Sequence, residues 1–245
     1  MAPENATFPG ATRTTIYVDG FNVYYWLKPT PFRWVSIAKL ALGALTHPSI
    51  KHQLVTVKYF TAKVSETPAD PTKHKRQLTY LSAQCATSPA FRVYYGEFRR
   101  QRKRMPMVTG NGGVGPPVEV WATEEKGSDV NLAVQLVNDA WANIFDLAVV
   151  VSNDSDLKSA LQLVKQRGKR VGVLVRGDAR VVSLRKASHF QVTLTEKHLR
   201  AALLPQVIPG TSIHIPAEWA RKEFAAAGLG GNGYAAHFCT NTTDL

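Results

Sequence analysis

Four aspartates carry the chemistry this chain advertises. Asp19, Asp129, Asp154 and Asp156 each fall where a strand or loop hands over to a helix. In an open parallel α/β sheet such handover points lie along one edge, so acids far apart in sequence can meet there. Carboxylates that meet usually hold a divalent cation, because hard oxygen donors are what magnesium and manganese take. Each acid also has an ordinary alternative. Asp19 precedes Gly20 as a turn residue does, Asp129 suits the positive end of a helix, and Asp154 suits an N-cap, roles worth roughly 1 kcal/mol each. Caps, however, are interchangeable with Ser, Thr or Asn, whereas gathered carboxylates repel one another unless a cation offsets the charge.

The elements that must position these acids follow from the apolar pattern. Ile16–Val18 is a short buried run that ends at Asp19-Gly20, and a helix should follow it. Trp34, Ile37, Ala38, Ala41 and Leu45 recur at helical spacing, and Leu54–Phe60 has the β-branched and aromatic content of a strand. Pro71 opens a helix running toward Ala86, and Phe91–Phe98 reads as a further strand. The basic, Gly- and Pro-rich stretch over residues 99–117 reads as a flexible insertion, after which Val118–Ala122 forms a short strand. Val130, Ala133, Val134, Val137, Ala140 and Trp141 trace the apolar face of a helix, and Leu147–Val151 is a continuous apolar strand of the kind buried on both faces. A helix carrying Leu157, Ala160, Leu161 and Val164, a strand over Val171–Val175, and a closing helix, strand and helix complete the alternation. Strands alternating with helices predict an α/β fold with a doubly wound, mainly parallel central sheet. Residues 1–13 read as a disordered start, residues 14–204 as one domain, and residues 205–245 as a partly mobile extension with a short helix near Ala217.

Charge points to the partner. Thirty Lys and Arg against 18 Asp and Glu give a formal charge of +12, the balance of a protein that meets polyanions. Much of the excess is local: Arg99, Arg100, Arg102, Lys103 and Arg104 form one cluster, Lys165, Arg167, Lys169 and Arg170 a second, and Arg176, Arg180, Arg185 and Lys186 a third. A single basic run is more often a solvated face than a site, but three in one small domain favour nucleic acid. Lys and Arg hold a chain of phosphates, and a cation among the acids turns their repulsion of that chain into attraction, so the two features suit each other. Tyr94, Tyr95 and Phe98, beside the first basic run, are candidates to stack on bases, while Tyr24, Tyr25 and Trp26 read as core.

Other signals are weaker. Gly110, Gly112 and Gly115 match a dinucleotide fingerprint in spacing alone, since no helix N-terminus follows to receive a pyrophosphate. Cys85 and Cys239 fit no zinc spacing, and neither do the histidines. No apolar run is long enough for a membrane span and the first residues lack a secretory signal, so a cytoplasmic protein with no membrane partner is expected.

Three blocks carry a resemblance. Tyr17-Val18-Asp19-Gly20-Phe21-Asn22-Val23-Tyr24, Lys126-Gly127-Ser128-Asp129-Val130 and Val151-Ser152-Asn153-Asp154-Ser155-Asp156-Leu157 look like the signature blocks of the NYN domain family, a branch of the PIN-like nucleases, over roughly Thr14 to Leu204. The third block departs from the common family pattern at Asn153 and Leu157 but keeps its acids. The resemblance implies a PIN-like α/β/α sandwich and metal-dependent cleavage of RNA, leaving 5′-phosphate and 3′-hydroxyl ends. By motif position it carries Mg²⁺ or Mn²⁺ ligation to Asp19, Asp129 and Asp154, with Asp156 as a fourth catalytic acid that reaches the metal directly or through water. Asn22 and Ser152 become polar site residues, and Lys126 a candidate substrate contact. Arg99, Arg100, Arg102, Lys103, Arg104, Arg176 and Arg180 are the candidate nucleic-acid contacts. RNA is the expected partner, single-stranded DNA a further candidate, and a homodimer one option for the assembly.

Two other classes compete with a ribonuclease. One is a binding module that grips RNA on the same fold without cutting it, against which the intact acids argue. The other is an aspartyl-nucleophile phosphatase of the haloacid-dehalogenase kind, which wants a second Asp two residues after the first, where this chain has Phe21.

Overall fold

The computed structural model describes residues 10–45, 50–177 and 182–220. Seven strands form one sheet in the order β4-β3-β2-β1-β5-β6-β7. β1 (Thr12–Asp19) lies at its centre, between β2 (His52–Ala62) and β5 (Leu147–Val151), and pairs in parallel with both. β3 (Phe91–Val108) extends the sheet in parallel beyond β2, and β6 (Arg170–Val175) and β7 (Phe190–Thr193) extend it beyond β5. β4 (Val114–Lys126) alone runs antiparallel, against β3.

Helices cover both faces. α1 (Gly20–Leu27), α2 (Ile37–Ala44), α3 (Lys73–Thr87) and α7 (Glu196–Ala201) enclose one core layer with Ile16, Val18, Trp34, Leu81 and Val149. α4 (Ser128–Trp141), α5 (Lys158–Gln166) and α6 (Val182–Ala187) enclose the other, with Tyr17, Leu132, Leu136, Val150 and Leu161. The fold is therefore an α/β/α sandwich. Successive residues of β1 (Ile16, Tyr17 and Val18) feed opposite cores, as the two-residue period of a strand requires. The chain leaves β1 toward β2 on one side and β5 toward β6 on the other, so a crevice opens between the carboxyl ends of β1 and β5.

Three sequence expectations change. Residues 99–117 are no flexible insertion: β3 and β4 pair from Glu97↔Lys126 to Val108↔Val114 as one long ribbon around a tight turn. Opposite charges across it, such as Lys103 with Glu124 and Arg102 with Glu119, favour pairing over repulsion within the basic run. α4 turns a different side inward than its valines suggest. Leu132, Leu136, Asp139 and Ala140 are buried, while Val130, Val134 and Trp141 stay exposed. The reason is Asp139, which faces the sheet because Lys58 (2.7 Å) and the Tyr17 hydroxyl (2.5 Å) meet it there. The extension expected from residue 205 packs as far as residue 220: Ile208 and Ile213 are buried, Trp219 meets Trp34 and Tyr80 at tilted and edge-on angles, and Glu218 pairs with Arg76 at 3.2 Å, while residues 221–245 lie outside the described residues.

Candidate metal centre

The site is built at the starts of two helices and of one short helical turn. Asp19, the last residue of β1, caps α1: its Oδ1 accepts from the Asn22 amide at 3.0 Å. Its Oδ2 accepts from the Asn22 side-chain amide and from the Ser152 hydroxyl at 2.9 Å. Asp154, just beyond β5, caps the turn Ser155–Leu157, its Oδ1 accepting from the Asp156 amide at 3.0 Å. Cap and cluster are thus not alternatives. Each carboxylate spends lone pairs on its own helix start and still presents oxygen to the crevice, because an ionised carboxylate has about four acceptor sites.

Asp129 arrives differently. Gly127 takes a left-handed conformation (φ 98°) at the junction of β4 and α4, which a residue with a Cβ rarely adopts. The Ser128 amide then donates to Glu125 Oε1 at 3.0 Å, and Asp129 follows in the first turn of the helix. Gly96 on β3 leaves the room, since a Cβ there would stand 2.6 Å from the Lys126 carbonyl and 2.9 Å from the Ser128 nitrogen.

Carboxylate oxygens of Asp19, Asp129 and Asp154 lie within 4.8 Å of one another. Their mutual repulsion is visible in their acidity. Burial, with a contribution from Asp154, raises Asp19 above the ordinary carboxylate range despite its three donors. Asp129 is pushed from 3.8 to about 6, chiefly by desolvation and then by the charges of Asp19, Asp154 and Glu125. Three hard anionic oxygens held this close, two of them with raised pKa, suit a divalent cation such as Mg²⁺ or Mn²⁺.

Beside the acids a cleft of about 530 Å³ opens, lined by Asp19, Asn22, Asp129 and Glu125, by Phe21, Tyr24, Tyr25, Tyr59 and Phe98, and by Lys73 and Arg76. Phe21 and Phe98 meet edge to face at 5.8 Å. Tyr24 and Tyr25, expected in the core, are exposed at its rim. Tyr94, a stacking candidate by sequence, is instead stacked on Phe60 at 5.0 Å under α4.

The remaining sequence-predicted residues divide. Asn22 and Ser152 sit in the cluster: Asn22 Oδ1 also accepts from the Asn153 amide at 3.3 Å, and Ser152 Oγ from the Asp154 amide at 2.9 Å. Asp156 is exposed and stands outside the three-carboxylate group, joined to it through its backbone amide. Lys126 turns its ammonium to Glu124, 3.2 Å away. Arg99, Arg100, Arg102, Lys103 and Arg104 lie on β3 of the ribbon and are not among the residues that line the cleft. Arg176 donates to the Trp26 carbonyl at 3.0 Å, and Arg180 lies outside the described residues. Glu125 is the acid that sequence reading missed. It belongs to no recognised block, and its one signal is its place four residues before Asp129.

A family model, the NYN domain, matches residues 13–195. The chain belongs to the NYN domain family. Among curated proteins, this NYN chain is 31% identical over 240 residues to 6-hydroxy-3-succinoylpyridine 3-monooxygenase HspA of Pseudomonas putida, covering 84% of this chain and 75% of that protein. Among solved structures, it is similar to a protein of unknown function from Vibrio parahaemolyticus, at 18% identity and a TM-score of 0.49 over 81% of this chain and 99% of the other. No helix among the described residues of this NYN domain is long and apolar enough to cross a membrane.

Proposed function

We propose that this NYN protein is a metal-dependent ribonuclease that hydrolyses RNA phosphodiester bonds at the Asp19–Asp129–Asp154 cluster. The observation that carries the reading is the convergence of those three carboxylates beside a cleft lined by aromatic rings and by charged side chains of both signs. Asp19, Asp129 and Asp154 would hold Mg²⁺ or Mn²⁺. When bound, the cation supplies Lewis-acid stabilisation of charge on phosphate oxygens and a more acidic water. Ser152 and Asn22 orient the Asp19 carboxylate and favour its ionised form against the opposing effect of burial, because they donate to the charged group. Glu125, whose Oε1 accepts from the Ser128 amide at 3.0 Å, holds the start of α4 and lines the same cleft as Asp129. Asp156 stabilises the Asp154 turn through its amide and adds negative charge at the helix start. Lys73 lies on the cleft wall where a flanking phosphate would pass, while Arg76 beside it is held by Asp70 at 2.6 Å and Glu218 at 3.2 Å, and the arginines of the ribbon add positive charge beyond the cleft.

The test is cleavage of single-stranded RNA in Mn²⁺, Mg²⁺ or chelator by the wild type and by Asp154→Asn. Metal-dependent cutting lost in the variant, with 5′-phosphate products, supports the reading. Equal cutting by both proteins sinks it, and tight salt-sensitive binding without turnover in any metal transfers it to a non-catalytic RNA-binding module.

A second reading takes its lead from the Pseudomonas relative: oxygenation of a pyridine-type ring. The aromatic lining of the cleft, with Tyr24, Tyr25, Tyr59 and Phe21 beside the acids, favours a flat heterocyclic ligand. Oxygen uptake with a hydroxylated pyridine and a nicotinamide reductant, absent with RNA, would select this reading over the first.

A further inference from the structure

The β3–β4 ribbon sorts its side chains by parity. Phe98, Arg100, Arg102 and Arg104 share one face of β3, and the residues that pair with them, Glu125, Thr123, Trp121 and Glu119, share the same face of β4. Phe98, Thr123 and Glu125 line the cleft, so this face continues the cleft outward. On it the Arg100 guanidinium lies 4.7 Å from the centroid of the Trp121 ring, which is 61% exposed. Arg102 makes a long approach of 3.9 Å to Glu119. Arg99 and Lys103 point to the opposite face, where they pair with Glu97 and Glu124. The two sides of one basic run therefore differ: one pairs its cations closely with its own glutamates, and the other sets three arginines and an open indole against Glu119 and Glu125 with one long ion-pair approach.

We propose that this second face is a track for single-stranded nucleic acid leading into the cleft, with Trp121, braced by Arg100, as a platform on which a base stacks. The proposal rests on the nuclease reading and adds to it the form of the substrate. An exposed indole beside guanidinium groups matches the chemistry of single-strand binding, in which cations track the phosphates and rings take the bases. A duplex hides the faces of its bases and cannot use the platform. An acidic peptide would satisfy the arginines but gain little from the ring. Trp121 lies four residues along β4 from Glu125, about 13 Å at the rise of a strand. Only a strand that runs on past the reacting phosphate reaches it.

The experiment is binding of labelled RNA and DNA single strands, and of an RNA duplex, by fluorescence anisotropy in chelator. It uses the full chain as wild type, Trp121→Ala, Trp121→Phe and the double variant Arg100→Ala/Arg102→Ala. We expect Trp121→Ala to bind single strands about tenfold more weakly and the duplex as before, with Trp121→Phe recovering most of the loss. The arginine pair should flatten the salt dependence by about 0.7 in logarithmic slope for each phosphate contact removed. The RNA and DNA arms tell which sugar the track prefers. Unchanged single-strand binding by Trp121→Ala, or an equal loss for single strand and duplex, overturns the platform while leaving the nuclease reading standing. A wild type that binds no nucleic acid in chelator overturns the track, and one that also fails to cut RNA in Mn²⁺ or Mg²⁺ overturns both.

Discussion

The Ser152 hydroxyl stands between two of the three acids: it donates to Asp19 Oδ2 at 2.9 Å and accepts from the Asp154 amide at 2.9 Å. One buried side chain thus ties the end of β1 to the turn after β5, across 133 positions of sequence. Ser152→Ala removes a donor from Asp19 and leaves the Asp154 amide without its acceptor. The expected loss is about 1–2 kcal/mol of stability, because both groups are shielded from water. Metal affinity should fall as well, read by calorimetric titration with Mn²⁺. A variant with wild-type Mn²⁺ affinity would show that Ser152 does not orient the cluster.

Asp129 makes the metal-free protein respond to pH in the direction opposite to a salt-bridged acid. Its folded pKa of about 6 lies above the ordinary value of 3.8, so between those values the folded chain holds a proton that the unfolded chain has released. Stability therefore falls as pH rises through that window, and the penalty is absent below it. In chelator, the melting temperature of wild type should drop relative to Asp129→Asn as pH rises from about 4 to 7. Saturating Mn²⁺ should shrink or reverse the gap, since the cation binds the ionised form. A difference that stays flat across pH would place the Asp129 pKa in the ordinary range.

Glu125 contributes to that shift by charge alone, since its own hydrogen bond goes to Ser128. Glu125→Gln keeps an acceptor for the Ser128 amide and removes one repulsive neighbour of Asp129. The acidic limb of the pH–activity profile should then move to lower pH. An unmoved limb, with activity otherwise intact, would mean that Glu125 is screened from Asp129.

Much of this site can be read from sequence because its acids obey local rules. Asp19, Asp129 and Asp154 each start a helix, and the apolar runs before Asp19 and Asp154 are those of central parallel strands, so their convergence follows from topology. Residues placed by tertiary pairing escape such reading. Glu125 and Trp121 acquire a role only when β4 folds back on β3, and an 18-residue basic strand has no periodic apolar face to betray it. Tyr24 and Tyr25 look like core by composition, yet α1 buries Val23 and Leu27 and leaves the tyrosines at the rim. α4 is misread because a buried charge, Asp139, sits on the side that hydrophobicity would send outward.

Gly96 sets the spacing between β3 and the start of α4. A Cβ there would press on the Glu125 carboxylate, the Lys126 carbonyl and the Ser128 nitrogen together. Two of these are backbone atoms that cannot swing aside. Gly96→Ala should cost about 1–3 kcal/mol by overpacking, and should weaken Mn²⁺ binding because Asp129 moves with Ser128. Denaturant unfolding and metal titration on the same samples check both, and an alanine that leaves both unchanged would show that the junction has slack.

The pair that turns α4 is the most consequential buried interaction away from the cluster. Lys58 Nζ lies 2.7 Å from Asp139 Oδ2 and 2.7 Å from Gln135 Oε1, with the Tyr17 hydroxyl donating to the same aspartate. Lys58 and Asp139 side chains are only 11% and 7% exposed, so removing one partner leaves the other charged and poorly solvated. Lys58→Met alone should cost about 3–5 kcal/mol, roughly 10 °C in melting temperature for a domain of this size. Lys58→Met combined with Asp139→Leu should recover most of that loss, because an apolar pair of similar volume needs no mutual charge. If the double variant is as unstable as the single, the pair supplies attraction beyond the cost of burying it. A stable single variant would instead mean that the Tyr17 hydroxyl suffices to hold Asp139, and that the orientation of α4 has another cause.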